Sequence, residues 1–400
     1  MPTRAWIAAV FGVLLLSPAA AQDQVARGKY LAVLGDCASC HTAPGVGAKR
    51  YAGGLALSSP FGTLYSANIT PDMRTGIGSW TNDQFFVALH EGIAPGGVHL
   101  YPAFPYPDFT QISRTDSDAL FAYLKSVKPV SATPPPNRLV FPTNIRATMI
   151  FWNLLYLDNT RFKPDPSKSA QWNRGAEIVN GLGHCGDCHT PKNVLFADKA
   201  GKTLQGETID SWFAANLSGS RRDGLGSWTA AEIAEYLKTG HNRYGRVTGP
   251  MQEVVQASTS AMTDADRGAI AAYLKSLPPV AESAPAKPDP RVMEDGQAIF
   301  VERCAACHEE RGTGDYPALA NNSIVQSRNP GTVLRVILQG SQSTQTANGP
   351  IGYSMPAFPV LDDQQLAAVA TYIRNAWGNR APPVAERDAA DLRKLIASTR

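Results

Sequence analysis

Five residues recur three times along this chain: Cys37-Ala38-Ser39-Cys40-His41, Cys185-Gly186-Asp187-Cys188-His189 and Cys304-Ala305-Ala306-Cys307-His308. Two thiols three residues apart each reach a vinyl group of one porphyrin, and the next residue turns an imidazole onto the iron, so the pattern reads as c-type haem attachment. A redox dithiol or half a zinc site also uses Cys-x-x-Cys, but neither needs His directly after the second Cys. The motifs consume all 6 Cys and leave none for a disulfide framework. Three haem c groups are expected, held by Cys37 and Cys40, Cys185 and Cys188, and Cys304 and Cys307.

A chain of 400 residues with 44 % hydrophobic content has length for two or three cores, and the motifs choose three. Each motif follows a stretch of helical spacing, at Ala26 to Leu34, Asn173 to Val179 and Gly296 to Val301. Each unit closes on a second such stretch with an aromatic at a matching place, Tyr123, Tyr273 and Tyr372, read as core residues. The expected fold class is all-α, with haem domains over residues 22–128, 171–277 and 291–380. Proline-rich stretches divide them: Lys128 to Pro142 opens a linker and interdomain segment over 129–170, and a second linker covers 278–290. A tail over 381–400 ends in a charged helix candidate, Asp388 to Ile396, too polar for a membrane anchor.

Units one and two are alike between their helices. Gly76-Ile77-Gly78-Ser79-Trp80-Thr81 matches Gly224-Leu225-Gly226-Ser227-Trp228-Thr229 at an offset of 148, the offset of the Cys pairs. Trp80 and Trp228 are read either as donors to a haem propionate or as packing. Thr148 to Leu157 is more apolar than a linker needs. It fills an interdomain core or forms a docking patch, and packing fits better the general habit of large apolar side chains.

The N-terminus reads as a secretory signal over 1–21: Arg4, an apolar run from Ala5 to Leu16, and cleavage expected after Ala21. The run is short of the roughly 20 residues that span a bilayer. A periplasmic location follows, in keeping with haem attachment completed outside the cytoplasm. Lys plus Arg number 37 against 34 Asp plus Glu, which gives no case for nucleic acid.

His41, His189 and His308 are the expected fifth iron ligands. Each needs its other ring nitrogen held by a carbonyl, expected in Thr42-Ala43-Pro44, Thr190-Pro191-Lys192 and Tyr316-Pro317-Ala318. A Met sixth ligand raises the potential and closes the iron to substrates. Met251 is the candidate for the second haem and Met355 for the third, both expected on loops before the closing helix. For the first haem the counted position falls on Phe104, which cannot ligate iron. The remaining donors are His99, His90 and Met73, or no protein ligand at all.

Asn68-Ile69-Thr70-Pro71-Asp72, the Leu-Tyr-Pro-Ala-x-Pro-Tyr loop, Trp152-Asn153 and Gly183 to Pro191 resemble the triple-haem cytochrome c subunits of bacterial membrane-bound periplasmic dehydrogenases, over nearly the whole mature chain. That family includes the alcohol, gluconate, sorbitol, fructose and aldehyde dehydrogenases. The resemblance implies cytochrome c-like domains that take electrons from a catalytic subunit of quinoprotein, flavin or molybdenum type. Electrons then pass to ubiquinone or another acceptor, a terminal oxidase or soluble cytochrome, with peripheral membrane association and no catalysis on this chain. Members usually carry Met where Phe104 stands, and the departure points to a branch serving molybdenum hydroxylases. The competing readings are a multihaem peroxidase or reductase with an open first haem, and a free shuttle cytochrome.

Overall fold

The computed structural model describes residues 18–209, 212–281, 284–313, 316–346, 348–351 and 354–398. The apolar run of the expected signal lies outside them. The chain is helix-rich, and short antiparallel hairpins interrupt the helices, so the expected all-α character is modified at the turns.

In the first unit, α1 (Pro18–Leu34) leads into the short α2 (Cys37–Cys40), followed by the hairpin β1 (Ala56–Ser59) and β2 (Gly62–Tyr65). Then come α3 (Asn82–Glu91), the hairpin β3 (Ile93–Ala94) and β4 (Val98–His99), α4 (Tyr106–Phe109) and the closing α5 (Arg114–Ser126). Thr81 and Gln84 form a capping box on α3, and Ser113 caps α5, so both starts are written in local sequence. The proline-rich stretch that follows does not swing free. Val130 and Ala132 bond to Asn68, Thr70 and Thr75, and β5 (Arg138–Leu139) pairs antiparallel with β2.

After α6 (Thr148–Tyr156), the second unit repeats the plan. It comprises α7 (Ala170–Asn180), α8 (Cys185–His189), β6 (Glu207–Ile209), β7 (Trp212–Ala214), α9 (Ala230–Thr239), β8 (His241–Asn242), β9 (Gly245–Arg246), α10 (Pro250–Ala257) and the closing α11 (Asp264–Lys275). The third unit comprises α12 (Pro290–Arg303), α13 (Ala305–His308), α14 (Gly331–Gln339), β10 (Thr344–Thr346), β11 (Gly349–Ile351), the closing α15 (Asp363–Asn375) and α16 (Glu386–Ser398). The charged tail helix α16 packs Ala389, Leu392 and Ile396 into the third core, and Arg393 donates to Asp363 at 2.9 Å.

Opening and closing helices cross in every unit: α1 on α5, α7 on α11, and α12 on α15. One glycine makes each crossing close. A Cβ on Gly28, Gly175 or Gly296 would collide with the carbonyl of Ala119, Ala269 or Ala368, and with the Cβ of Tyr123, Tyr273 or Tyr372. The three tyrosines thus sit at the crossings as packing residues. Tyr51 meets Tyr123 edge-on with centroids 6.1 Å apart, Trp172 meets Tyr273 at 5.2 Å, and Phe300 meets Tyr372 at 5.5 Å.

Units one and two share one apolar core, in which Leu31 and Leu34 of α1 join Ile178, Val179 and Leu182, while unit three has its own. The boundary between units two and three is largely polar. Phe213 N donates to Thr332 Oγ1 at 2.9 Å, Asn329 Nδ2 to Thr208 Oγ1 at 3.0 Å, and Asn348 Nδ2 to the Ser260 carbonyl at 2.8 Å.

The apolar segment α6 departs from expectation. Its inner side packs: Met149 is buried, Asn153 Oδ1 accepts from Tyr106 at 2.5 Å, and Trp152 lies edge-on to Tyr106. Its outer side does not, because Ile150, Phe151, Leu154 and Leu155 are exposed.

Candidate functional site

The first two attachment motifs are presented in the same way. A residue in the left-handed region stands immediately before each, Asp36 with φ 46° and His184 with φ 36°, and turns the chain from the opening helix into the short helix of the motif. The Asp36 N–H bonds the Val33 carbonyl at 3.1 Å, and the His184 N–H bonds that of Gly181 at 2.9 Å. In the third unit no such break occurs. Cys304 ends α12 and begins α13 in right-handed helical conformation.

The imidazoles are oriented from further away than the sequence suggested. His41 Nδ1 donates to the carbonyl of Ala67 at 2.7 Å, and His189 Nδ1 donates to that of Ala215 at 2.6 Å, each 26 residues on. The segments expected to supply these carbonyls close loops instead: Thr42 Oγ1 accepts from Tyr51 N at 3.3 Å, and Thr190 Oγ1 from Leu204 N at 3.0 Å. Each acceptor is anchored by the asparagine that follows it. Asn68 Oδ1 accepts from Thr70 N and Asn216 Oδ1 from Ser218 N, both at 2.9 Å. A signal for this was present, since Ala67-Asn68 and Ala215-Asn216 stand at the same 148-residue offset as the motifs. For His308 no carbonyl partner is found among the described residues; its ring faces Tyr316, with centroids 6.2 Å apart.

A carbonyl only accepts, so Nδ1 carries the proton in His41 and His189, and Nε2 is left with its lone pair. Burial lowers the pKa of His41, His189 and His308, which keeps the rings neutral. Burial also pushes the thiols of Cys37 and Cys185 up to about 12 and those of Cys40 and Cys304 up to about 11. Thiols raised in this way do not suit the low-pKa thiolate of a redox pair. Among the described residues, no group of three or more His, Cys, Asp and Glu is placed to hold a metal ion.

On the distal side the third unit is the plainest. Met355 and Ser341 form an isolated antiparallel bridge with N–H···O bonds of 2.8 and 3.0 Å, which brings Met355 to the wall of a cavity of about 190 Å³. Cys304, Cys307 and His308 line the same cavity, with Phe300, Val336 and Ile337 among its apolar walls. Arg246 reaches in from the second unit; its Nη2 donates to the Gln342 carbonyl at 3.1 Å, and its buried Nε has no hydrogen-bond partner among the described residues. Paired thiols, a neutral imidazole, a thioether, apolar walls and one orphaned cationic donor fit an iron porphyrin with anionic propionates. Met251 does not lie on a loop as expected; it stands in the first turn of α10, packed with Tyr236 and Val255. A Cβ on Gly249, two residues earlier, would collide with Trp212 of β7, so this turn rests on the strand that leads to Ala215.

The first unit lacks the thioether. The Leu100 N–H bonds the Gly92 carbonyl at 2.7 Å, and the Val247 N–H bonds that of Gly240 at 2.8 Å. These equivalent bonds place Phe104 where Met251 stands, four residues beyond. Phe104 packs on the shared core and meets Phe109 edge-on, centroids 5.4 Å apart. His90 is not available as a donor: fully buried, its Nδ1 faces the Phe86 carbonyl at 2.8 Å and its Nε2 that of Ile112 at 2.7 Å. Met73 is 67 % exposed and turned to solvent. His99, on β4, keeps a buried Nδ1 that has no hydrogen-bond partner among the described residues.

The indoles divide. Trp228 is buried, stacks on Tyr244 at 5.1 Å and donates its N–H to Ser323 Oγ of the third unit at 3.2 Å. It serves the boundary between units. Trp80 is half-buried against the shared core.

The family model for cytochrome c matches residues 25–128, 173–278 and 293–377. The chain belongs to the cytochrome c family. This cytochrome is 38 % identical to the fructose dehydrogenase cytochrome subunit of Gluconobacter japonicus, over 91 % of this chain and 81 % of that protein. It is 36 % identical to the gluconate 2-dehydrogenase cytochrome c subunit of Pantoea cypripedii, over 97 % of this chain and 94 % of that protein. It is also 42 % identical, over 89 % of its length, to a nicotinate dehydrogenase subunit of Pseudomonas putida, of which it spans only 30 %. The resemblance to cytochrome subunits of dehydrogenases therefore holds across most of the chain.

Proposed function

We propose that this cytochrome is the electron-transfer subunit of a periplasmic dehydrogenase, relaying electrons through three haem c groups from a catalytic subunit to ubiquinone or another respiratory acceptor. Haem c, when bound, supplies a one-electron carrier at each motif. The chain's own part is to fix the carriers close together and keep water out.

The reciprocal packing of the first two units carries this reading. The segment after Phe104 covers the second motif: Phe109 lies edge-on to His184, centroids 5.7 Å apart, and Asp108 sits close enough to Asp187 and Asp198 that burial and their charges raise its pKa. The segment after Met251 covers the first motif in turn, with α10 packed on α2 and Glu253 beside Asp36 and Cys40. Arg246 of unit two lines the cavity of the third motif, and Trp228 ties unit two to Ser323 of the third unit. Two attachment sites clamped over one core, with a third held against them, suit a fixed relay.

Dehydrogenase subunits as relatives support a catalytic partner, and the 42 % identity to the nicotinate dehydrogenase subunit favours a partner of that kind. Purified from the periplasmic face of its membrane, the chain should yield three haems in a pyridine haemochrome assay and co-purify with a larger dehydrogenase subunit whose substrate reduces all three. Fewer haems, or a chain that purifies alone and is not reduced, overturns the proposal.

Phe104 favours a second reading, a multihaem peroxidase or reductase open at the first haem. Carbon monoxide binding to one haem in three, accompanied by peroxide turnover, would select it.

A further inference from the structure

We propose that the outer face of α6, with the adjoining loop around Leu195, is the surface by which this cytochrome lies on an anionic lipid bilayer. The inference deepens the reading above by naming where the chain meets the membrane.

The face is apolar and rigid at once. Leu154 is 81 % exposed, Phe151 69 % and Leu155 67 %, and with Ile150 they occupy i, i+1, i+4 and i+5 on one side of the helix. The helix is held from beneath by Asn153, which bonds both Tyr106 and the Glu91 carbonyl. The patch continues past the helix: Trp152 donates its indole N–H to the Leu195 carbonyl at 3.0 Å, and exposed Phe196 meets Phe61 edge-on at 6.3 Å. Monomeric proteins seldom leave such large apolar side chains contiguous and solvated without a use.

Composition and charge choose lipid over protein. Protein interfaces are anchored by Tyr, Trp and Arg, with Leu and Val under-represented among their hot spots. Here the protruding residues are Leu, Ile and Phe, while Trp152 and Tyr156 sit at the base, as in helices that lie in a membrane interface. Residues 138–202 carry nine Lys and Arg against five Asp and Glu, a net +4, while the whole chain is only +3. Lys199 and Lys202 of that segment are exposed to acidic headgroups, as is Arg146, whose Nη1 also donates to the His99 carbonyl. At nine residues α6 is too short to cross a bilayer. No helix among the described residues is long and apolar enough to do so. A flat helix sunk about 5–10 Å into the headgroup layer needs no span.

The test is flotation of the full haem-loaded chain with vesicles of phosphatidylethanolamine and phosphatidylglycerol, alongside the variant F151S/L154S/L155S with its haem content checked. The wild type should float, high salt should weaken it, and the triple variant should bind at least about tenfold less. Amide hydrogen exchange on the wild type needs no variant and should slow over 148–156 when vesicles are added. A wild type that stays at the bottom, a triple variant that floats equally, or protection of α6 by the dehydrogenase subunit but not by vesicles overturns the proposal. Each readout reports docking alone, so the docking surface can fail while electron transfer stands.

Discussion

The Tyr30 hydroxyl of the first unit donates to Asp266 Oδ2 of the second at 2.7 Å, on the same carboxylate that Arg174 grips through Nε and Nη2 at 2.9 and 3.0 Å. Burial draws the pKa of Asp266 up, but the Arg174 fork and the tyrosine draw it further down, to below the usual carboxylate value. The carboxylate is therefore ionised more readily folded than unfolded. Its contribution is fully present above the unfolded value of about 4 and is lost as pH falls through the depressed folded value. Asp266→Asn should cost about 1–3 kcal/mol at neutral pH and flatten the acid limb of the stability curve. Denaturant melts at a series of pH values check it; an unchanged acid limb refutes the assignment.

Gly296→Ala puts a methyl group into the Ala368 carbonyl at the crossing of α12 and α15. Overpacking of this kind costs about 1–3 kcal/mol. The third unit should lose stability and haem occupancy while the first two keep theirs, as read by denaturation and by haem stoichiometry. Full occupancy with unaltered melting would show that the crossing relaxes at no cost.

Phe104→Met restores a thioether at the place equivalent to Met251. If the first haem lacks a Met ligand, the variant should raise its potential and abolish any carbon monoxide binding at that site. Redox titration and ferrous difference spectra decide. A variant indistinguishable from wild type would mean that Phe104 does not face the iron.

Arg246→Gln removes an uncompensated cation from the cavity that holds Cys304, His308 and Met355. The reduced state of the third haem should be favoured less, with its midpoint moving down by about 59 mV for every tenfold change in the redox equilibrium. Arg246→Lys should recover part of the shift. Equal potentials in all three proteins would falsify the electrostatic role.

The attachment residues and helix pairs were legible because their signals are local: Cys-x-x-Cys-His is contiguous, and apolar residues at helical spacing mark the opening and closing helices. The carbonyls of Ala67 and Ala215 were missed because backbone acceptors leave no mark in residue type, although the asparagines beside them did recur at the repeat offset. His90 looked like a ligand in sequence because nothing there reveals that two backbone carbonyls face its ring nitrogens. The outer face of α6 read as core because hydrophobicity does not report which way a helix turns. The crossing glycines, Gly28, Gly175 and Gly296, were visible as residues but not as contacts, since the carbonyls they meet lie 72 to 94 positions away.

One apolar core runs beneath the first two units and a separate one beneath the third. If cooperativity follows the cores and not the motifs, heating should give two melting transitions for three attachment motifs. The early pair, fused through Leu31, Leu34, Ile178 and Leu182, would denature as a single block. The last unit, tied on mainly by hydrogen bonds, is the one a lineage could trade or shed without unfolding the rest.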